Sequence, residues 1–414
     1  MYERVVKLDV FLWGHHVGEL APESGSVYVF QYDPQFVRSG IEISPFMLPL
    51  RNEMYFTAEM EMPRNAFWGL PGVFADSLPD TFGNALINEW MQEQKIPITA
   101  ISALDRLAYV GDRAMGALTY EPRRGPQYGR PSALDMRQLL SEARLALDNR
   151  LGKMKGTEAL REIIRVGTSA GGAQAKAVVG WNRETGQFIS GTGDLPEGFE
   201  HWLIKFTPKG LEEAGEKEFH VYEMAQGAGI AMSECLLYEL DGVRHFMTKR
   251  FDRNGNLRHH LQTYCALKHL PHGSPRQLMT YEGLFRTAVD LGLGYGALEQ
   301  LFRRMVFNVL IEEVDDHTKN FSFLMRNPAS PQSASASASG WELAPAYDLT
   351  GYHFSVADKD FEAWSNPHVL SVNGKTGNIT DADLLLVAER FGIGTAKRVL
   401  AEIKEVVAKE ASHI

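Results

Sequence analysis

The chain has 414 residues, of which 44% are hydrophobic and 23% are charged, as in globular proteins with two or three domains. The formal net charge of −10 argues against strong binding to nucleic acid by this chain alone, because such binding requires a basic surface. Two cysteines cannot form a disulfide framework or a zinc site, and because we find neither a signal peptide nor a membrane-spanning stretch, we expect a cytoplasmic protein.

The N-terminal part of the chain, residues 1–125, contains short apolar runs that alternate with turn residues, a pattern that predicts strands. The clearest strands are predicted at residues 6–12, 26–30 and 116–120. A helix is predicted near residues 81–94. The segment 121–126, which contains prolines and a glycine, marks the end of this first subdomain.

The middle of the chain, residues 126–260, predicts a second unit of strands and helices around a glycine-rich loop. Helices are predicted at residues 133–147 and 216–228, a strand–loop–strand region at 163–181, and further strands at 202–206 and 243–251. The loop, residues 166–176, consists of small residues that let backbone N–H groups approach phosphate oxygens, and Lys176 adds a positive charge. The Walker A spacing is absent, so a plain turn is the alternative interpretation.

The last part, residues 261–414, predicts a helical unit that contains one β-hairpin. Apolar residues repeat at the spacing i, i+3, i+4 along a helix that leads to Asp315. These residues are Leu298, Leu301, Phe302, Met305, Val306, Val309 and Leu310. Strands at residues 321–325 and 341–343 flank a flexible loop rich in serine and alanine. This hairpin folds Asp348, expected on the later strand, back towards Asp315.

Two acidic motifs carry the polar groups that phosphoryl transfer requires. They are Asp315-Asp316-His317-Thr318-Lys319-Asn320 and Ala346-Tyr347-Asp348. One carboxylate can orient or deprotonate an acceptor hydroxyl, while an amide oxygen and a second carboxylate can hold Mg²⁺. The spacing from Asp315 to Asn320 equals that of the H-R-D-x-x-x-x-N loop of protein kinases, and Asp316 misses it by one residue. We therefore predict Asp315 as the catalytic residue, and Asn320 and Asp348 as metal ligands.

Lys205 lies at the end of a predicted strand, where protein kinases place the lysine that contacts the α- and β-phosphates and pairs with a helix glutamate. Glu218 begins the next helix and is the natural partner. The alternative is a surface lysine beside an unrelated, solvated glutamate. Phe251, at the connection to the helical unit, could pack on adenine or could be an ordinary core residue. His317 could orient its loop or contact phosphate, or serve only as a structural hydrogen-bonding group.

These motifs resemble those of the HipA-type serine/threonine kinases, the toxin halves of bacterial toxin–antitoxin pairs. The resemblance rests on residues 168–176, 204–205, 250–253, 315–322 and 343–348, and on residues 17–20, 48–50, 76–80 and 111–117 of the first subdomain. It spans most of the chain and keeps the order of the motifs. The resemblance implies an α+β fold with a β-rich N-terminal subdomain, a kinase N-lobe and an all-helical C-lobe, which we place at residues 1–125, 126–260 and 261–414.

The resemblance also implies ATP and Mg²⁺ as cofactors, with Asp315 as the catalytic aspartate. The implied ATP-binding residues are Gly171, Gly172, Ala173, Gln174, Ala175, Lys176, Lys205, Lys249, Arg250, Phe251, His317, Thr318, Lys319, Asn320, Tyr347 and Asp348. Ser169 falls on the family's autophosphorylated serine, and the adjacent Thr168 is the alternative. Phosphorylation adds roughly −1.5 to −2 charge at neutral pH. In the family it expels the loop from the nucleotide site and silences the kinase.

The partners implied by the resemblance are a small helix-turn-helix antitoxin of the HipB type, operator DNA reached through that antitoxin, and an aminoacyl-tRNA synthetase as protein substrate. Asp316 stands where the family often has glycine, so we expect a second acid near the metal. Two other hypotheses remain open. One is a DNA corepressor that acts through its antitoxin with little kinase activity, and the other is a small-molecule kinase, because antibiotic and sugar kinases share the same acidic groups.

Overall fold

The computed structural model describes residues 3–79, 81–125, 133–147, 174–271, 279–332, 339–351 and 368–411. The predicted phosphorylation sites Thr168 and Ser169 lie outside these residues, as do Gly171, Gly172 and Ala173 of the glycine-rich loop.

The strands of the described residues are β1 (Leu8–Leu12), β2 (His15–Ser24), β3 (Val27–Tyr32), β4 (Met54–Phe56), β5 (Leu118–Glu121), β6 (Lys176–Trp181), β7 (Phe188–Ser190), β8 (Glu200–Lys205), β9 (Cys235–Leu240), β10 (Val243–Lys249), β11 (Arg253–Asn254), β12 (Leu257–Arg258), β13 (His260–Thr263), β14 (Ser322–Met325) and β15 (Trp341–Leu343).

The α-helices are α1 (Pro34–Val37), α2 (Arg64–Phe67), α3 (Gly72–Ala75), α4 (Thr81–Glu93), α5 (Ala103–Val110), α6 (Met136–Leu147), α7 (Ala214–Gly227), α8 (Tyr264–Leu267), α9 (Tyr281–Asp290), α10 (Tyr295–Leu310), α11 (Asp381–Arg390) and α12 (Ala396–Ala411). Short 3₁₀ turns are formed by Ile98–Ala100 and Thr318–Asn320. Among the described residues, no helix combines the length and apolar character needed to cross a bilayer.

The N-terminal subdomain is built on a five-stranded antiparallel sheet with the order β4-β3-β2-β1-β5. Along β1, Leu8, Val10 and Leu12 are fully buried while the residues between them are partly exposed, which is the two-residue period of a strand with one covered face. The strands and the helix predicted in this part of the chain are thereby confirmed. The last strand, β5, pairs with β1 and closes the sheet.

The middle unit is a second antiparallel sheet with the order β7-β6-β8-β10-β9. Its central strand β8 ends at Lys205, which lies opposite Lys176 on β6. Helix α7 packs on β9 and β10. The approach is close at Gly215, where a Cβ atom would lie 2.4 Å from the carbonyl oxygen of Arg244. This contact places Glu218, one turn later on α7, beside the end of β8.

The C-terminal unit is mainly helical, and the α+β fold predicted from the sequence is confirmed. Of the stripe predicted on α10, the first five apolar residues are buried, and Val309 and Leu310 are half-buried against the same core. The predicted hairpin is present as β14 and β15. This lobe, expected to be all helical, also contains a small sheet with the order β13-β14-β15. The sheet forms because β13 carries the chain in from the middle unit and pairs with β14, whose side chains are all buried.

We expect Gly215→Ala to lower the free energy of unfolding by about 1–3 kcal/mol, because the added methyl group would overlap a backbone oxygen that cannot move aside. The matched control is Gly296→Ala on α10, where a Cβ atom would meet no other atom within 4 Å. Thermal unfolding of both variants checks this. Equal melting temperatures for Gly215→Ala and the unmodified protein would contradict the close packing of α7.

Candidate active site

A cavity of about 400 Å³ lies where the N-terminal subdomain, the middle sheet and the C-terminal unit meet. Among the predicted nucleotide-binding and metal-binding residues, those that line it are Lys176, Lys205, Lys249, Arg250, Phe251, His317, Lys319, Asn320, Tyr347 and Asp348. Three of the predicted residues, Gln174, Ala175 and Thr318, do not line the cavity. The Gln174 side chain donates to the carbonyl of Phe206, and the Thr318 hydroxyl donates to that of Pro271.

Lys205 joins two carboxylates across the cavity. Its Nζ atom lies 2.5 Å from Oε1 of Glu218 and 2.5 Å from Oδ1 of Asp348. Lys205 and Glu218 are buried, whereas the Asp348 side chain stays partly open to the cavity. The structure thus brings the strand lysine together with both its predicted helix partner and the second acidic motif.

Lys205 and Asp348 each stabilise the charged form of the other. Burial alone would lower the pKa of Lys205, but the carboxylates of Asp348 and Glu218 outweigh it and raise that pKa above its ordinary value. The Lys205 ammonium holds the pKa of the Asp348 carboxyl well below its usual range. At neutral pH the cluster therefore contains an ammonium group and an ionised Asp348.

Asp348 lies in a loop and not on a strand, which corrects the sequence-based expectation. Strand β15 ends at Leu343, and Pro345 cannot donate a hydrogen bond that would extend the ladder. The loop instead joins the middle unit, because the Ala346 N–H donates to the carbonyl of Ala231. Asp348 itself has φ +57°, in the left-handed region that few non-glycine residues adopt. Such strained residues concentrate at functional sites.

The loop of the first acidic motif follows α10 and places Asp315 and Asn320 next to each other. The Asn320 side chain donates through Nδ2 to the carbonyl of Asp315 at 2.9 Å, which leaves its Oδ1 atom available as a ligand. Asp315 is exposed and does not line the cavity itself. Desolvation by the surrounding loop nevertheless raises the pKa of its carboxyl, while His317 acts in the opposite direction.

Asp316 faces away from the cavity, so the expectation of a second acid near the metal is wrong. The residue is buried. Its Oδ2 atom accepts from the hydroxyl of Tyr281 at 2.8 Å and lies 3.1 Å from Nδ1 of His368, and its Oδ1 atom accepts from the N–H of Val369 at 2.7 Å. Asp316 therefore anchors the loop to the helical core, and its neighbour Asp315 faces solvent.

Glu313 is a buried residue of the site that the sequence analysis missed. Its Oε1 atom accepts from the N–H of Asp315 at 3.1 Å. Its Oε2 atom accepts from the N–H groups of Thr350 and Gly351, both at 2.7 Å. One carboxylate therefore ties the Asp315 loop to the Asp348 loop. An acid two residues before Asp315 is visible in the sequence, but its partners are not.

The residues after β10 form one wall of the cavity. The rings of Phe251 and Tyr347 stack with centroids 5.6 Å apart, so Phe251 contacts the site and not only the core. The Lys249 ammonium pairs with Glu200, and the Arg250 guanidinium makes a bidentate pair with Asp252. Both predicted cations therefore line the cavity, but each forms an ion pair with a carboxylate of the protein.

The N-terminal subdomain supplies a further wall that the sequence analysis also missed. Residues 75–79 line the cavity, and Asp76 accepts from the backbone N–H of Thr263 at 2.7 Å and from its hydroxyl at 2.9 Å. Burial raises the pKa of the Asp76 carboxyl to about 6, although the hydrogen bonds from Thr263 and the charge of Lys319 oppose this shift. The motif at 76–80 supported the family resemblance, but nothing in the sequence indicated that it borders this site.

We expect the charge of Asp348 to add stability that is present at neutral pH and is lost as pH falls below about 4. The sign follows because Lys205 lowers the pKa of the folded carboxyl, so acid favours the unfolded state. Asparagine tolerates the left-handed backbone at this position. In the Asp348→Asn variant, the melting temperature should therefore fall less steeply between pH 5 and pH 3 than in the unmodified protein. Asp290→Asn, at an exposed helix end, is the matched control. Parallel curves for the unmodified protein and Asp348→Asn would contradict the ion pair.

Comparisons with known proteins agree with this architecture. The HipA N-terminal domain family matches residues 8–121, and the HipA-like C-terminal domain family matches residues 168–414. A solved complex of HipA, HipB and operator DNA from the Shewanella oneidensis MR-1 toxin–antitoxin system contains a chain with a TM-score of 0.66. That match covers 98% of this chain and 91% of the other at 16% identity, and it indicates a shared fold.

A putative kinase, Y4dM, from Sinorhizobium fredii is 22% identical over 233 residues. The match covers 51% of this chain, and it spans only about half of the relative, 53% of its length. The C-terminal family match by itself covers more than half of the present chain. The chain belongs to the HipA family, and it shares the α+β fold of the Shewanella chain.

Proposed function

We propose that this protein is a protein serine/threonine kinase that uses ATP and Mg²⁺. The observation that carries the proposal is the bridge that Lys205 makes between Glu218 and Asp348. Protein kinases require both a lysine–glutamate pair and a metal-binding aspartate to be in place before phosphoryl transfer. A cavity of about 400 Å³ beside this bridge is large enough for a nucleotide.

The donor set fits Mg²⁺, which prefers carboxylate and amide oxygens. Asp348 is ionised and uses one carboxylate oxygen towards Lys205, and Asn320 keeps its amide oxygen free of the contact to Asp315. These two residues would hold the ion, which would neutralise charge on the phosphate oxygens. Lys205 and Lys176 would bind the phosphates, and Phe251 would pack against adenine.

Asp315 is the residue that we assign to the acceptor hydroxyl. As the bond from the acceptor oxygen to the γ-phosphorus forms and the bond to the β–γ bridging oxygen breaks, the hydroxyl proton passes to the Asp315 carboxylate and ADP leaves. A raised pKa makes this carboxylate a better proton acceptor than an ordinary aspartate. Glu313 fixes the backbone of Asp315 relative to the Asp348 loop by accepting hydrogen bonds from both.

We further propose that the kinase is the toxin of a toxin–antitoxin pair, on the basis of family membership and of the Shewanella complex. Its antitoxin would be a small helix-turn-helix protein of the HipB type. Because this chain carries a net charge of −10, the basic surface that operator DNA requires would come from that partner. An aminoacyl-tRNA synthetase is the substrate that the family suggests. The complete Lys205, Glu218 and Asp348 set favours an active kinase over a corepressor without activity.

We expect Asp315→Asn and Asp348→Asn each to reduce transfer of labelled γ-phosphate by at least about 10²-fold, because each removes one group that acts on the transferred phosphoryl. The matched control Asp290→Asn should keep full activity. Circular dichroism establishes that the variants are folded. Undiminished transfer by both folded variants would disprove the proposed chemistry.

We expect the active protein to phosphorylate itself at Ser169. Intact-mass measurement after incubation with ATP and Mg²⁺ should show one added phosphate, and peptide mapping should place it on Ser169. The Ser169→Ala variant should lose this mass increase, whereas Thr168→Ala should keep it. The reverse pattern would assign the modification to Thr168, and phosphate found only elsewhere would refute the loop assignment.

A further inference from the structure

A second cavity, of about 180 Å³, shares only Arg250 with the larger one. We call it the arginine cavity, because Arg113, Arg250, Arg253 and Arg258 line it. Its remaining wall includes His201 and the loop at residues 191–194. Nothing in the proposed kinase chemistry uses these groups other than Arg250.

Two of the arginines are held rigidly by the N-terminal subdomain. Arg253 and Arg258 both donate to the carbonyl oxygens of Ala114 and Gly116. Arg250 uses Nε and Nη2 for Asp252, and its Nη1 atom has no hydrogen-bond partner in the part of the chain that the structure describes. Arg250 is 5% exposed and lines both cavities, so this nitrogen is a donor available to a ligand.

The cavity carries an excess of positive charge. Four guanidinium groups line it, whereas the Asp252 carboxylate is shared by Arg250 and Arg253, and Asp112 pairs with Arg123. Burial and repulsion by Arg250 lower the pKa of Arg258 to about 10. A buried cluster of this kind is stabilised by an anion, because charges removed from water require a counter-charge.

His201 offers a hydrogen-bond acceptor, so an anion that fits the cavity must also carry a hydrogen-bond donor. Its Nδ1 atom lies 3.2 Å from the carbonyl oxygen of Gly191, which can only accept, so Nδ1 carries the proton. Its buried Nε2 atom has no hydrogen-bond partner among the described residues. Burial, together with Arg250 and Arg253, lowers the pKa of His201 to about 3. The imidazole is therefore neutral, and Nε2 is an acceptor without a donor on a residue that lines the cavity.

We propose that the arginine cavity binds hydrogen phosphate, with the anionic oxygens facing Arg250 and the P–OH group donating to Nε2 of His201. Hydrogen phosphate offers both acceptors and a donor, whereas sulfate at neutral pH offers acceptors alone. The volume corresponds to about six water molecules at ~30 Å³ each, enough for a tetrahedral anion with part of its hydration shell. This site does not depend on the proposed kinase activity.

Isothermal titration of the full chain with sodium phosphate, at constant ionic strength in sodium chloride, tests the site. We expect phosphate to bind and sulfate to bind at least about tenfold more weakly, because sulfate leaves the His201 acceptor unpaired. The titration is repeated with a saturating non-hydrolysable ATP analogue, which under the proposed function would occupy the larger cavity. Equal affinity for sulfate and phosphate, or loss of phosphate binding when the analogue is present, would overturn the proposal.

Two variants that change the charge at the edge of the cavity in opposite directions test where the phosphate binds. Asp194→Asn removes an exposed carboxylate and should strengthen phosphate binding several-fold. Thr192→Asp adds a carboxylate that can still accept from Ser190, and should weaken binding about tenfold. The matched control Glu197→Gln neutralises a nearby exposed acid that does not line the cavity. Unchanged affinity in both Asp194→Asn and Thr192→Asp would place the phosphate elsewhere.

Discussion

The position of one buried ammonium group determines how the candidate active site is assembled. Lys205 is delivered by the central strand of the middle sheet, Glu218 by the helix that packs on that sheet, and Asp348 by a loop of the C-terminal unit. An ammonium removed from water needs a counter-charge and hydrogen-bond acceptors, which Glu218 and Asp348 supply. The ion pairs therefore fix the distance between two lobes that meet at the cavity, and Glu313 extends this constraint from the Asp348 loop to Asp315.

The adjacent residues Asp315 and Asp316 have different roles in the same loop, one towards the substrate and one in the structure. Asp316 accepts hydrogen bonds from groups of the helical core, and its burial leaves Asp315 free to face solvent beside the cavity. The two aspartates differ in this way because buried polar groups must be paired, whereas a group that acts on a substrate must remain accessible.

Much of the fold was predictable because it depends on local patterns. The alternation of β1, the apolar stripe of α10 and the hairpin of β14 and β15 follow from periodicities that a single sequence displays. The contacts between distant segments that bring Asp76 and Glu313 into the site were not predictable. Asp76 meets Thr263 across 187 positions, and Glu313 meets Thr350 across 37, so only the folded chain reveals either contact.

The arginines that line the second cavity connect two parts of the chain that the family matches treat as separate. The two family matches, residues 8–121 and 168–414, suggest separable parts. Yet Arg253 and Arg258 from the second part find their acceptors on Gly116 of the first, whose own N–H donates to the buried Asp252. Without the first part, these guanidinium groups would lose their carbonyl partners, and Asp252 would lose a donor. Hydrogen bonds to Ala114 and Gly116 therefore join the two matched parts of the chain beside the second cavity.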